Sequence, residues 1–419
     1  METLWKIAAR NVLRHKRRTL ITGIVMTMGI GMFITMDSML IGMDRLTIDN
    51  MVDYTESFMK IRTPEYVNNL QGTPLDYGIP DPEGAIEAVL AADKRITAAA
   101  PRSRFVANVS NYEDMLPTIA TVVDPARDGA VFRLADSMVS GAWLDTAEPG
   151  SVVLGAGLAE ELSLEVGDYV VVSASTAFEN VNADEYLVAG LVSSPMPEIS
   201  NGGLFMTFAT ADQLLGTSGF VSEIVVATER MPNLKALLAA SAEAAAKTAK
   251  ALPGLRADPL TELAKDYLAM RAMKGKGSYF IIMVVLLIAA VGIVNTILMS
   301  VYARIREIGV LKAYGMSPKD IQRLFTLEGI IIGVVGSAGG VLFGTALVWW
   351  MSTSGMPMGA FVGKVDMGGL PLSGTLYGEW NPGSMVFGFC FGLVVAFIAA
   401  RIPAKRASKM EVTDALRFV

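Results

Sequence analysis

The sequence is short of the residues on which most catalytic and metal chemistry depends. It has one cysteine, Cys390, among 419 residues, which excludes an internal disulfide framework and any thiolate-built metal site. Its one histidine, His15, lies in a basic run with Arg14, Lys16, Arg17 and Arg18. A histidine metal site or a Ser-His-Asp triad therefore has no parts to draw on. No GxxxxGK[ST] loop is present, because Gly363-Lys364 is followed by Val365 and lacks the upstream glycine. The chain by itself cannot cradle ATP phosphates. Charged residues make up only 18% against 52% hydrophobic, which is too apolar for an ordinary soluble enzyme of this length.

The apolar excess is concentrated in four runs. A helix needs roughly 20 apolar residues to cross a bilayer core of roughly 30 Å, and residues 20–42, 279–301, 324–350 and 385–402 qualify. The first is too long for a signal peptide and no small-x-small cleavage site follows it. Bases then set the orientation. Lys6, Arg10, Arg14, Lys16, Arg17 and Arg18 precede span one within residues 1–19. Arg304, Arg306, Lys312, Lys319 and Arg323 fill the 302–323 loop. Arg401, Lys405, Arg406, Lys409 and Arg417 lie at the end of span four and in the 403–419 tail. The 351–384 loop has only Lys364 among its bases. The positive-inside rule puts both termini and the 302–323 loop in the cytoplasm, and residues 43–278 outside.

That outer segment is long enough for its own core. Its start reads as strand, helix, strand: Ser57–Arg62 alternates, Asp81-Pro82-Glu83 caps a helix through Leu90, and Arg102–Val109 alternates again. Its end mirrors this with a strand at Val221–Val226, an Ala-rich helix at Leu234–Ala251 and a short strand after Gly254. Between them lies a β-rich insert at about residues 120–215, with strands at Ser151–Leu154, Gly167–Val172, Tyr186–Val192 and Gly203–Phe208. The expected fold class is an α-helical membrane protein with four transmembrane helices. Between helices one and two it carries a large α+β extracytoplasmic domain, a split α/β layer with an inserted β-rich subdomain. Met43–Tyr54 and Thr261–Met273 read as helical stalks that either transmit movement or simply link.

The 302–323 loop holds the most informative residues. Ile305, Ile308 and Leu311 share a helical face, and Gly315 with Ser317-Pro318 breaks the helix before span three. The direct reading is a short amphipathic helix on the cytoplasmic surface. Arg304-Ile-Arg306-Glu307-Ile308-Gly309-Val-Leu311-Lys312-Ala313-Tyr-Gly315-Met316 resembles the coupling segment of MacB/FtsX/Lol-type ABC transporter permeases. Asn295, Glu328-Gly329 and the Arg10–Thr19 entry also match that pattern. So does the tail from Pro403-Ala404-Lys405-Arg406-Ala407 to Ala415-Leu416-Arg417, although Val412 stands where that family usually has proline. Gly155-x-Gly157-Leu-Ala159-x-x-Leu162-x-Leu164-x-x-Gly167-Asp168 is similar to the inserted subdomain of MacB-like outer domains. The resemblance covers the chain end to end.

It implies a non-catalytic permease subunit, closest to those of lipoprotein-releasing systems. Arg304, Arg306, Glu307, Ile308, Gly309, Leu311, Lys312, Ala313, Gly315 and Met316 would couple it to a separate ABC ATPase dimer. ATP and Mg would be bound by that partner, with no cofactor or metal in this chain. A second permease chain, identical or homologous, would complete the complex in the bacterial inner membrane. The implied work is mechanical extraction of an amphipathic cargo from the outer side, with lipoproteins first. Thr176–Asp184 is short where a chaperone-engaging hook would be longer. Peptide or drug efflux, or a signalling role toward a cell-wall hydrolase, are the alternatives. Membrane lipids, lipoproteins and a periplasmic chaperone are the further partners expected, and no nucleic acid.

Two rows inside the spans stand out. Met28, Met32, Met36, Met39 and Met43 fall on one face of span one, as a cargo- or lipid-facing row or, more plainly, ordinary packing methionines. A row of small or hydroxyl residues lies beside them: Gly23, Thr27, Gly31, Thr35, Ser38 and Gly42. Gly329, Gly333, Gly336, Gly340 and Gly344 in span three read as a close helix-packing face. Asp37 and Glu328 are ionisable residues near span ends and so are functional candidates.

Overall fold

The computed structural model describes residues 2–14, 16–69, 75–178, 180–357, 375–409 and 411. His15, Glu179, Lys364, Val412 and the Ala415-Leu416-Arg417 end lie outside the described residues, as do the side chains of Arg17 and Arg18. The longer helices are α1 (Glu2–Arg14), α2 (Lys16–Met51), α3 (Pro82–Ala92), α4 (Leu234–Ala251), α5 (Lys265–Tyr302), α6 (Ile305–Ala313), α7 (Pro318–Ser354) and α8 (Pro382–Lys409). The chain forms two compact units, one built from the segment up to Asp44, Arg271–Pro357 and the segment after Thr375, the other chiefly from Arg45–Met270.

In the first unit, α2, α7 and α8 are long and apolar enough to cross a membrane. The sequence-derived second span falls inside α5, whose apolar stretch among the described residues is shorter, Leu286–Met299. Helices in lipid gain little from hydrophobic burial against one another, so they associate through close backbone approach at small residues. The α7 glycines provide it. Gly329 faces Ala400, and a Cβ added at Gly333 would fall 2.7 Å from Ala396 Cβ on α8. A Cβ at Gly336, Gly340 or Gly344 would fall 2.8, 2.7 or 2.9 Å from Cβ of Met26, Ile30 or Ile34 on α2. All five glycines are buried. Thr27 adds a hydroxyl donated to the Gly336 carbonyl at 3.3 Å.

The second unit holds one sheet. Its strands are β1 (Met59–Arg62), β2 (Ile96–Ser110), β3 (Met115–Val123), β4 (Met138–Gly141), β5 (Ser151–Gly155), β6 (Tyr169–Ser175), β7 (Val181–Val192), β8 (Gly203–Thr207), β9 (Glu223–Thr228) and β10 (Arg256–Pro259). They run β10-β1-β9-β2-β3-β8-β5-β7-β4, with β6 paired to β2 and β7. The long strand β2 joins flank to insert: Ile96–Arg102 pairs with β9, and Arg102–Ser110 pairs with β3. Three clusters of buried side chains result. One gathers Phe105, Val122, Leu154, Val172 and Leu204, another packs α3 and α4 through Ile86, Val89 and Leu237 onto Phe58 and Ile224, and a third gathers Val123, Phe132, Trp143 and Phe205.

Strand β1 departs from its alternating sequence pattern, because all four of its residues are buried. Its two cations are paired rather than solvated. Lys60 lies 3.1 Å from Glu56 and 3.7 Å from Glu223, and Arg62 lies 2.5 Å from Asp258. Burial pushes the Glu223 carboxyl up, but Lys60, Arg104, Arg62 and Arg102 together hold it below the usual carboxylate range.

Candidate functional site

The 302–323 segment is built as an elbow between α5 and α7. Helix α6 ends in a Schellman turn: Met316 N–H donates to the Leu311 carbonyl at 3.1 Å and Gly315 N–H to the Lys312 carbonyl at 2.9 Å. Gly315 supplies the positive φ of 87° that this turn needs. Leu311 and Met316, the two residues that usually touch across such a turn, are both half-buried against the same cluster. One residue on, Ser317 caps α7 by accepting from Asp320 N–H at 3.2 Å, and Pro318 occupies the first turn. The stretch Gly315-Met316-Ser317-Pro318 thus ends one helix and starts the next.

One face of α6 is fixed to its own chain. Ile305 and Ile308 are buried with Ile321 and Phe325 of α7 and Ala404 and Ala407 of α8. Arg304, at the start of α6, is also buried. Its Nε donates to Glu307 at 2.6 Å, its Nη1 to Glu328 at 2.5 Å, and its guanidinium lies 4.9 Å from the Phe325 ring centre. Glu328 takes a second donor from α1, the Asn11 amide at 2.8 Å. A buried carboxylate in a span is costly unless paired, and here α1, α6 and α7 meet on it.

The other face of α6 is open. Arg306, Glu307, Val310, Ala313, Tyr314 and Gly315 are exposed, with Tyr314 at 87%. The ten coupling residues read from sequence therefore divide. Arg304, Ile308 and Gly309 are buried, with Arg304 and Ile308 anchoring the helix, while Leu311, Lys312 and Met316 are half-buried. Arg306, Glu307, Ala313 and Gly315 face outward. Val310 and Tyr314 are not among the ten, yet they form the apolar part of the exposed face. Their signal is present as spacing: 306, 310 and 313–314 repeat at helical period, opposite 305, 308 and 311–312.

In span one, Met28 and Met32 are exposed, while Met36, Met39 and Met43 are half-buried. At the inner end of the outer unit's first helical segment, Arg45 donates to Asp49 at 2.8 Å and to the Met231 carbonyl at 2.9 Å. Asp44, its neighbour, lies 2.5 Å from Arg271 of α5. Among the described residues no group of His, Cys, Asp or Glu is arranged to hold a metal ion.

Apolar helices long enough to span a bilayer, a large β-rich domain and an anchored elbow between α5 and α7 define a multi-pass membrane permease. Residues 19–250 match the MacB-like periplasmic core domain, and residues 279–412 match the FtsX-like permease C-terminal region. The chain belongs to this MacB/FtsX family of ABC transporter permeases. It is 26% identical over 342 residues to the lipoprotein-releasing system transmembrane protein LolC of Neisseria meningitidis serogroup B, covering 78% of this chain and 79% of that one. It is 28% identical over 131 residues to the macrolide export ATP-binding/permease protein MacB of Hyphomonas neptunium, covering 31% of this chain and 17% of that one. A solved structure, the periplasmic region of MacB from Actinobacillus actinomycetemcomitans, aligns over 53% of this chain and 97% of that one, with 10% identity and a TM-score of 0.34.

Proposed function

We propose that the chain is the transmembrane subunit of an ABC transporter that releases lipoproteins from the outer leaflet of the cytoplasmic membrane. It spans four times, with 279–301 as the second span and both termini and α6 in the cytoplasm. A separate ATPase dimer, which binds ATP and Mg, grips α6 by Arg306, Glu307, Val310, Ala313 and Tyr314. A second permease chain completes the assembly. Movement imposed on α6 passes along α5 and α2 toward the outer domain, where cargo is lifted out of the leaflet; with Thr176–Asp184 short, any chaperone contact falls to the second permease chain. Met28 and Met32, exposed on α2, are placed to meet acyl chains.

The observation that carries this reading is the division of α6. One face is locked to α7 and α8 by Ile305, Ile308 and Arg304, and the opposite face is left open. A helix built that way transmits force from whatever binds its open face. Lipoprotein is favoured over macrolide because the likeness to the lipoprotein-releasing protein runs through 79% of it, whereas that to the macrolide exporter runs through 17%. The test is reconstitution of the permease with its ATPase in vesicles carrying an acylated protein. ATP-dependent appearance of that protein in the soluble fraction is expected. ATP-dependent drug transport without protein release would replace this reading with efflux.

A further inference from the structure

The membrane unit contains a cavity of about 580 Å3 between α2, α5 and α8, within the about 300–1,000 Å3 usual for ligand pockets. Its body is apolar: Phe33 of α2, Leu286 and Ala290 of α5, and Phe387 and Phe391 of α8 line it. Its one ionisable lining residue is Asp37, and no lysine or arginine lines it among the described residues. Asp37 is held in place by a defined network. Asn381 donates its amide to Asp37 at 2.8 Å while its own carbonyl oxygen accepts from Gly383 N–H at 3.1 Å, capping α8. Ahead of it, Glu379 N–H reaches the Ser38 carbonyl at 3.4 Å, which ties this turn back onto α2.

The polar end also has a definite depth. Trp380, exposed beside Asn381, and Trp349 and Trp350, exposed near the end of α7, are the residues that favour the membrane–water interface. Asp37 therefore sits at headgroup level, and the aromatic and aliphatic lining runs inward from it at acyl-chain level. A carboxylate at one end of an apolar slot, with no lining cation among the described residues, complements an amphiphile whose head is a protonated amine.

We infer that this cavity binds one outer-leaflet phospholipid with an amino headgroup, its ammonium donating to Asp37 and its acyl chain lying along Phe387 and Phe391. The assignment rests on the four-span topology proposed above, which puts Asp37 and the start of α8 on the outer side, and not on the cargo or the ATPase contact.

The full chain, purified from a membrane holding both phosphatidylethanolamine and phosphatidylglycerol, is examined by native mass spectrometry for retained lipid. Wild type is expected to retain phosphatidylethanolamine over phosphatidylglycerol by about tenfold beyond their ratio in the membrane, equivalent to ~1.4 kcal/mol. Asp37→Asn should bring that preference to the membrane ratio, and Asp37→Glu should keep it. Ala290→Trp, which fills the apolar body, should lower retention of both lipids. Equal retention by wild type, an unchanged preference in Asp37→Asn, or an acylated polypeptide as the retained species overturns the assignment. If Asp37→Asn does not fold, the wild-type preference and the Ala290→Trp loss decide it: absence of either sinks the proposal. Neither result touches ATPase coupling, which is read separately on α6.

Discussion

Arg304 and Glu328 meet at 2.5 Å with both side chains almost wholly buried, and each has a further partner: Glu307 for the arginine, Asn11 for the carboxylate. Breaking a buried pair from one side leaves a charge without compensation, at a cost of about 3–5 kcal/mol. Arg304→Ala should therefore lower the thermal unfolding midpoint of the detergent-purified chain markedly. Replacing both residues by Met and Leu should recover most of that loss, since apolar substitutes for buried pairs are commonly neutral. The double variant should still fail in coupled transport if α6 needs the link to α7. Full transport by it would show that the pair is only structural.

The two faces of α6 predict opposite phenotypes. Ile308 is buried, so Ile308→Ala should cost about 2–5 kcal/mol through lost packing. Val310 and Tyr314 are exposed, so Val310→Asp with Tyr314→Ala should shift stability by no more than about 0.5 kcal/mol. The same pair should abolish co-purification of the ATPase and stimulation of its turnover. A stable variant that still binds and stimulates the ATPase would move the docking face elsewhere.

The glycine contacts sort substitutions by position. A Cβ at Gly333 would meet Ala396 at 2.7 Å, closer than packed carbons approach, so Gly333→Val should separate α7 from α8 and cost about 1–3 kcal/mol as overpacking. Gly23 is the contrast, because a Cβ there meets nothing within 4 Å. Alanine stiffens a helix relative to glycine by about 0.5–1 kcal/mol, so Gly23→Ala should raise the unfolding midpoint. Unfolding scans of the two variants beside wild type measure both effects.

Asp93 gives the outer domain a pH signature. It accepts from Arg95 Nε at 2.9 Å and Nη2 at 2.6 Å, and from Lys247 at 3.0 Å. The Arg95 hydrogen bonds, opposed by burial, hold its carboxyl well below the usual carboxylate range. A depressed folded-state pKa adds stability that is full above the unfolded value of about 4 and is lost as pH falls toward the folded one. Asp93→Asn should therefore unfold more easily than wild type at pH 7. Chemical unfolding repeated at stepwise lower pH should show the difference shrinking below about pH 4. A constant gap would assign the loss to packing.

Much of this is legible in the chain because the signals are local. Span-length runs, Asp81 before α3, the Ala-rich α4 and the Gly-Met-Ser-Pro elbow each depend on neighbours in sequence. The strand β2 shows where that legibility stops. Its Thr97–Ala100 start has no alternating apolar pattern, so a reading by periodicity begins the strand at Arg102 and treats the insert as a separate subdomain. The structure runs it unbroken from Ile96 and joins both halves through it. Likewise the outward side of α6 reads in sequence as a motif rather than as a face. Which of its residues point out depends on Phe325 and Ala404, far along the chain.

Helix α5 carries one more consequence. Its described apolar residues divide unequally, with Leu286, Ile293 and Ile297 buried and Phe280, Met283, Val284, Leu287, Ile288, Val291 and Met299 exposed. Helices α2, α7 and α8 are interlocked by glycine contacts that any axial shift would turn into clashes, whereas among the described residues of α5 the close glycine approach is that of Gly292, where an added Cβ would lie 3.3 Å from Val25. Sliding α5 lengthwise would therefore disturb fewer fitted glycine contacts among the described residues than sliding any of the other three.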